Sequence, residues 1–265
     1  MIESLSNPRV KRWAALAQRK GRDREGRFIV EGVHLVEEAL KSGARVETVV
    51  YSAARGLPKE LEGLAGSSVE LVAAGEAVLA RCTDMVTPQG VFAVVEKPAY
   101  TAADILERHR SLVIAVDGVQ DPGNLGTIIR SADAAGASGI LLGRGTVDLY
   151  NPKTVRSTMG SLFHLPIAEC ELGEALRLAR AAGVQVAAAA PRDAVSCYEA
   201  DFTRDTWIVV GNEARGVSEE ALREAAMRIR IPMPGRAESL NVAMAATVLL
   251  FEAVRQRGKQ IRNLI

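Results

Sequence analysis

Leu112–Gly136, LVIAVDGVQDPGNLGTIIRSADAAG, decides the fold. An apolar run from Leu112 to Val116 breaks into Gly, Pro and polar residues. It then resumes as a helix over Leu125–Ala135, so the stretch reads as strand, turn and helix. The same alternation continues downstream. Strands are expected at Gly139–Leu142, Gln185–Ala189, Trp207–Val210 and Arg228–Ile231, and helices at Lys153–Phe163, Gly173–Ala182, Glu219–Ala226 and Leu240–Arg257. Strands separated by crossover helices imply a largely parallel sheet covered on both faces.

Upstream, a helix is expected over Asn7–Lys20, with Val10, Trp13, Leu16 and Ala17 on one face and basic residues on the other. After the polar stretch GRDREGR come a strand at Phe28–Val30, a helix at Val33–Lys41 and a strand at Val46–Tyr51. Val69–Ala73, a helix near Ala77–Cys82, and Val91–Val95 complete a smaller α/β domain. The expected boundaries are residues 1–97 for this domain, 98–110 for a linker with a helix at Ala102–His109, and 111–265 for the larger domain.

At 265 residues, 48% apolar and only 4% aromatic, the chain has the composition of globular α/β layers packed with Ala, Val and Leu. The longest apolar run, Val242–Phe251, is ten residues, far short of the roughly 20 that a membrane span needs. No apolar signal region follows Met1, so a cytoplasmic location is expected. Cys82, Cys170 and Cys197 are isolated singles, which argues against a disulfide framework or a metal site. Net charge is +1, but residues 1–27 carry eight basic residues against three acidic ones. Residues 28–100 carry six against ten, and the rest balance at nineteen each. A basic segment on a neutral body is the footprint of a polyanion-binding arm, and equally that of a solvated helix face.

Three blocks carry the chemistry: DGVQDPGNLGTIIRSADAAG (117–136), IVVGNEARGVS (208–218) and IPMPGRAESLNVA (231–243). In the first, the turn into the helix presents free N–H groups to an anion. Arg130 lies six residues beyond Asn124, roughly 9 Å along a helix, and its side chain leans back toward the turn. In the second, Gly211 permits close backbone approach to a ligand, and Glu213 is placed to accept hydrogen bonds from a substrate or to orient an arginine. In the third, Pro232, Pro234 and Gly235 shape an irregular loop. Ser239 is then a candidate N-cap for the last helix, with Asn241 in its first turn.

These blocks, in this order and spacing, closely resemble the three motifs of the SpoU/TrmH family of SPOUT-class RNA methyltransferases. The resemblance spans residues 112 to about 257. Residues 7–95, with NPRVKRW, GRFIVEGVHLVEEAL and TPQGVFAVV, also resemble the smaller RNA substrate-binding domain of many members, a fold related to a ribosomal protein. The resemblance implies methyl transfer from S-adenosylmethionine to a ribose 2′-hydroxyl, with ribosomal RNA favoured over transfer RNA and DNA excluded as substrate. It implies a SPOUT-type parallel sheet with a deep trefoil knot, and a homodimer with the active site near the subunit interface. By motif position, Asn124, Arg130, Glu213, Ser239 and Asn241 are the expected active-site residues, and Gly211, Asn212, Ile231, Met233 and Leu240 the cofactor residues. RNA capture is expected from Arg9, Lys11, Arg12, Arg19, Lys20, Arg22 and Arg24. Neither a metal nor a membrane is implied.

Two other readings compete. A non-catalytic RNA-binding protein on the same fold is disfavoured by the intact set Asn124, Arg130, Glu213, Ser239 and Asn241. A dinucleotide-dependent enzyme is disfavoured because no GxGxxG follows a strand with an acidic residue about 20 positions on.

Overall fold

Among the described residues, 1–84, 89–108 and 111–262, the computed structural model divides into two compact units. Met1–Pro98 with Asp148–His164 form one, and Ala99–Val147 with Leu165–Ile265 the other. The first contains α1 (Pro8–Ala15), α2 (Arg19–Glu25), β1 (Arg27–Glu31), α3 (Val33–Lys41), β2 (Val46–Ser52), β3 (Glu70–Ala74), α4 (Glu76–Cys82) and β4 (Val91–Glu96). The chain continues through α5 (Ala102–Leu106), β5 (Leu112–Asp117), α6 (Pro122–Ala134) and β6 (Gly139–Gly143), then returns to the first unit with α7 (Pro152–Ser157). The second unit is completed by β7 (Ile167–Cys170), α8 (Leu172–Ala181), β8 (Gln185–Ala189), β9 (Val195–Ser196), β10 (Thr206–Gly211), α9 (Glu219–Glu224), β11 (Met227–Arg230) and α10 (Val242–Arg262).

The first unit is a four-stranded mixed sheet in the order β1-β4-β2-β3, with only the β2–β3 pair parallel. Val10, Trp13 and Leu16 of the N-terminal segment pack with Val78, Leu79 and Cys82 against Val50, Phe92 and Val94. Asn7 caps α1 through a bond from the Arg9 N–H, and Pro8 starts it without losing a bond. The N-terminus is tied down by pairing of Ile2 with β3.

The stretch expected to be a polar connection is instead the helix α2, crossed closely by the end of α1. A Cβ on Gly21 would sit 2.0 Å from the Ala15 carbonyl oxygen, so only glycine fits there. Arg22 of α2 is buried, 4% exposed. Its guanidinium donates to the carbonyls of Leu16 (2.8 Å) and Ala17 (2.8 Å) and pairs with Asp148. Arg22 therefore closes the end of α1 and holds the 148–164 segment. This corrects the expectation that it captures RNA, since a guanidinium spent on two carbonyls and a carboxylate in the interior has no face for a phosphate. Phe28 against Tyr150, at 4.6 Å between ring centroids, adds the apolar part of the same attachment. Residues 148–164, read from sequence with the larger domain, thus pack with the smaller unit.

The second unit is a seven-stranded, all-parallel sheet in the order β7-β6-β5-β10-β8-β11-β9. Val113 and Ala115 of β5 and Trp207 and Val209 of β10 face Ile105, Leu172, Leu176 and Ala221 from α5, α8 and α9. The alternate residues of these strands are also buried, and α6 and α10 pack over the opposite face. Both faces are covered, as a strand-by-strand apolar reading requires. The chain leaves β5 toward β6 and β7, then crosses to β8 and returns to place β10 beside β5. The strand order reverses at this pair, the place where open α/β sheets hold ligands beyond their C-terminal strand ends.

Several boundaries differ from expectation. The helix over Lys153–Phe163 stops at Ser157, because Met159 (φ 52°) and Gly160 (φ 97°) turn the chain into a short 3-10 turn, Ser161–Phe163. The strands β7 and β9 were not expected; they are four and two residues long, too short for a periodicity. α5 begins with a Thr101–Asp104 capping box and ends at Leu106. His109 and Arg110 of the expected linker, and Thr87 and Pro88 of TPQGVFAVV, lie outside the described residues. Burial pushes the thiols of Cys82 and Cys170 up to about 11, so both stay protonated and unreactive at neutral pH. No described helix is long and apolar enough to cross a membrane.

Arg22→Ala removes one partner of a buried pair and uncovers two helix-end carbonyls. It is expected to destabilise the smaller unit by about 3 kcal/mol, read as a lowered urea midpoint; an unchanged midpoint would show that α2 is not the fastener of this unit.

Candidate active site

β5 and β10 end level with each other, with Asp117 opposite Gly211, and the two following loops are laced together. The Asp117 carboxylate accepts the Ser218 N–H at 2.6 Å, and the Asn212 amide donates to the Gly118 carbonyl at 2.7 Å. The Asn212 amide oxygen accepts from the N–H groups of Ala214 (3.0 Å) and Arg215 (3.1 Å), closing its own loop. A Cβ on Gly211 would lie 2.1 Å from the Gly216 carbonyl carbon and the Val217 nitrogen. Glycine at 211 is thus demanded by the chain folding back on itself, a requirement the local sequence does not show.

Asp121 caps α6 with a bond from the Asn124 N–H at 2.8 Å, which fixes Asn124 in the first turn. Glu213 reaches across from the β10 loop. Its carboxylate accepts the N–H groups of Gln120 and Asp121, both at 3.1 Å, and the Asn124 side-chain amide at 3.0 Å. The Asn124 amide oxygen accepts from the Asn241 amide at 2.9 Å. The Asn241 oxygen in turn accepts the N–H groups of Ala243 (2.9 Å) and Met244 (3.3 Å) at the start of α10. A carboxylate at one end can only accept, and helix N–H groups at the other can only donate. The two amides between them are therefore held in the single orientation that satisfies both ends. A Ser131–Thr247 hydroxyl contact of 2.7 Å joins α6 to α10 further along.

The cap of α10 is Asn241, not Ser239, and the helix starts at Val242. Among the described residues Glu213 faces backbone and Asn124 and no arginine. Burial is the largest single influence on Glu213 and opposes its charge. The bonds from Asn124 and from the N–H groups of Glu213 itself, Gln120 and Asp121 outweigh it together, holding the carboxyl below the usual range.

Arg130 is on the exposed surface of α6 and makes no ion pair among the described residues. The Ser239 hydroxyl is exposed and likewise without a protein partner. Residues 231–240 have no regular structure, and their backbone groups make no hydrogen bond within the described protein. Ile231, Pro232 and Met233 are nevertheless half-buried. Backbone groups left unpaired within the protein are open to water or to a ligand. This loop offers donors, acceptors and apolar surface suited to an adenine ring, so Ile231, Met233 and Leu240 fit a cofactor held by backbone. Asn212, with its amide already bonded at both ends, is suited to shaping the loop. The three loops do not follow three neighbouring strands: β8 lies between β10 and β11, and Asn241 arrives through α10 packing on α6.

In the smaller unit the expected RNA-binding residues divide sharply. Arg9 pairs with Glu70, Arg12 with Glu25 (2.7 Å) and Glu47 (3.4 Å), Arg19 with Asp23 (3.6 Å), and Arg24 with Glu25 (3.1 Å). Arg22 is buried. Lys11 and Lys20 are exposed and form no ion pair among the described residues.

Residues 111–251 match the model of the SpoU rRNA Methylase family, and residues 7–93 that of the MRM3-like substrate binding domain. The 23S rRNA (guanosine(2553)-2′-O)-methyltransferase RlmP of Bacillus subtilis is 38% identical over 250 residues, covering 94% of this chain and 97% of the relative. The 23S rRNA (uridine(2479)-2′-O)-methyltransferase of Streptomyces viridochromogenes is 37% identical over 260 residues, covering 95% and 91%. The crystal structure of the SpoU methyltransferase AviRb from Streptomyces viridochromogenes, in complex with AdoMet, superposes with a TM-score of 0.86 at 38% identity, covering 95% of this chain and 98% of that one. The chain belongs to the SpoU rRNA methylase family.

Glu213→Gln puts an NH2 group where N–H donors converge. It is expected to lower kcat about 10- to 100-fold, the worth of one or two charge-assisted bonds. Because the carboxyl is held below its usual range, its contribution is complete at neutral pH and is lost only as pH falls through that depressed value. The deficit of the variant relative to the unaltered protein should therefore be constant between about pH 6 and 9; a deficit that changes across that window would contradict the assignment.

Proposed function

We propose that this protein transfers the methyl group of S-adenosylmethionine to a ribose 2′-hydroxyl of 23S ribosomal RNA. The observation that carries the reading is the bonded chain Glu213–Asn124–Asn241, which joins three loops at the sheet's reversal point and leaves Arg130 and Ser239 as uncommitted polar groups. The two named relatives act on a guanosine and a uridine respectively. What they share is the 2′-hydroxyl rather than a base, so the nucleotide is left to experiment.

The cofactor supplies an electrophilic methyl group; Ile231, Met233 and Leu240, with the Gly211 strand end, are the residues that would hold it. The reaction is an in-line displacement, for which alignment alone contributes about 7–11 kcal/mol in favourable cases. Arg130 anchors the substrate phosphate and stabilises the ribose oxygen while a phosphate oxygen or water takes its proton. It is not the base, because a guanidinium with a pKa above about 12 keeps its proton. Ser239, free of protein partners, contacts substrate or cofactor, and Asn124 and Asn241 set the shape of the cleft. The smaller unit captures RNA, and the same family reading includes a deep trefoil knot near the C-terminus. A ribosomal substrate supports a cytoplasmic location.

A homodimer is part of the proposal. Met244 and Phe251, 49% and 46% exposed and two turns apart on α10, form an apolar stripe that a second copy would cover. Met244→Glu with Phe251→Glu should convert a dimer to a monomer in sedimentation; a monomeric unaltered protein would remove this part of the account.

The decisive assay is transfer of label from S-adenosylmethionine to unmodified 23S rRNA, digested to nucleosides. Label in a 2′-O-methylated nucleoside is expected, and Arg130→Ala should lower it by about 100-fold or more, the usual cost of losing one charge-stabilising donor, with cofactor binding kept. Arg130→Lys should not restore it fully. Near-normal turnover in Arg130→Ala, or cofactor binding without transfer to any RNA, would overturn the reading.

A further inference from the structure

We infer that the RNA contact of the smaller unit is a groove between α1 and α4, gripped by Lys11 and Arg81, and not the basic arm as a whole. The inference rests on the methyltransferase reading and concerns how its substrate is held.

The sequence places net positive charge on residues 1–27 and net negative charge on residues 28–100. In the folded unit these largely cancel, because Glu47 and Glu70 of the second stretch are drawn onto Arg9, Arg12 and Arg27 of the first. A guanidinium already paired with a carboxylate offers a phosphate less net charge than an unpaired cation does. The useful cations are those left over. Lys11 is one, on the exposed side of α1. Arg81, near the end of α4, is another, and nothing in the local sequence marks it, since it stands in an acidic stretch. It is exposed and makes no ion pair among the described residues.

Packing of Val10 with Leu79 and Cys82 brings α1 against α4. Lys11 and Arg81 then line one open groove of about 550 Å³. Leu5, Ala14 and Ala15 give it an apolar floor, and Gln18 stands at its edge with a free amide. Two unpaired cations over small apolar side chains complement a single-stranded RNA segment. A backbone phosphate sits between the cations, a base lies flat on the alanines, and Gln18 meets its edge. An acidic protein segment would use the cations without needing the flat floor.

The test measures affinity for in vitro transcribed 23S rRNA as a function of salt. Lys11→Gln/Arg81→Gln should weaken binding about tenfold at moderate salt. It should flatten the slope of log K against log salt by about 0.7, the value for one phosphate contact on a single strand. Cofactor affinity should be unchanged and KM for RNA raised with kcat kept. The charge-preserving Lys11→Arg/Arg81→Lys should retain binding. Arg45→Gln/Lys59→Gln, on exposed positions elsewhere in the same unit, removes equal charge and should have little effect. Equal losses in the groove variant and this control would overturn the groove while leaving methyl transfer by the unaltered protein intact. If the unaltered protein neither binds nor methylates the transcript, both readings fall.

Discussion

The site depends on one run of hydrogen bonds, from the Glu213 carboxylate through the amides of Asn124 and Asn241 to the first N–H groups of α10. Its ends are chemically opposite, an acceptor and a pair of donors, so the amides between them cannot flip without breaking a bond at both ends. Three loops separated by up to 117 residues in sequence thereby become one surface. The same bonds bring the β10 loop against the start of α6 and fix where the unsatisfied loop 231–240 hands over to the last helix. Residues with no structural bond to make, Arg130 and Ser239, stand beside this frame.

A division of labour follows. Most polar groups in the three blocks are spent on holding loops together: Asp117 on Ser218, Asn212 on Gly118 and its own turn, Glu213 on two backbone N–H groups. Few remain for ligands, and those few are backbone groups and exposed side chains. Charge is treated the same way in the smaller unit. Its acidic stretch neutralises its basic one, and recognition is left to the cations that this pairing passes over.

The larger sheet was legible because its strands are buried on both faces and read as unbroken apolar runs, such as Leu112–Val116 and Trp207–Val210. The membership of Asn124, Glu213 and Asn241 in one site was legible through motif spacing. Their roles were not: Asn241 is the helix cap because Ser239 lies in a segment without regular structure, and Gly211 is required by the return of Gly216 and Val217. α2 was missed because RKGRDRE has no apolar stripe. Its one inward side chain is an arginine, whose burial depends on Asp148, more than a hundred residues away. Pairing of distant charges leaves no trace in local periodicity. That is also why seven basic residues looked alike in sequence and differ in the folded chain.

The most direct measurement is a double-mutant cycle on kcat/KM between Glu213→Gln and Asn241→Ser. Among the described residues the two share no hydrogen bond and are linked through Asn124, and serine keeps the cap of α10 while being too short to reach the Asn124 amide. If the bonded chain acts as a unit, either change alone releases Asn124, and the double variant should be little worse than the more damaged single one. Losses that multiply, with each variant folded and binding cofactor, would mean that the two residues act independently and that the chain is not what organises the site.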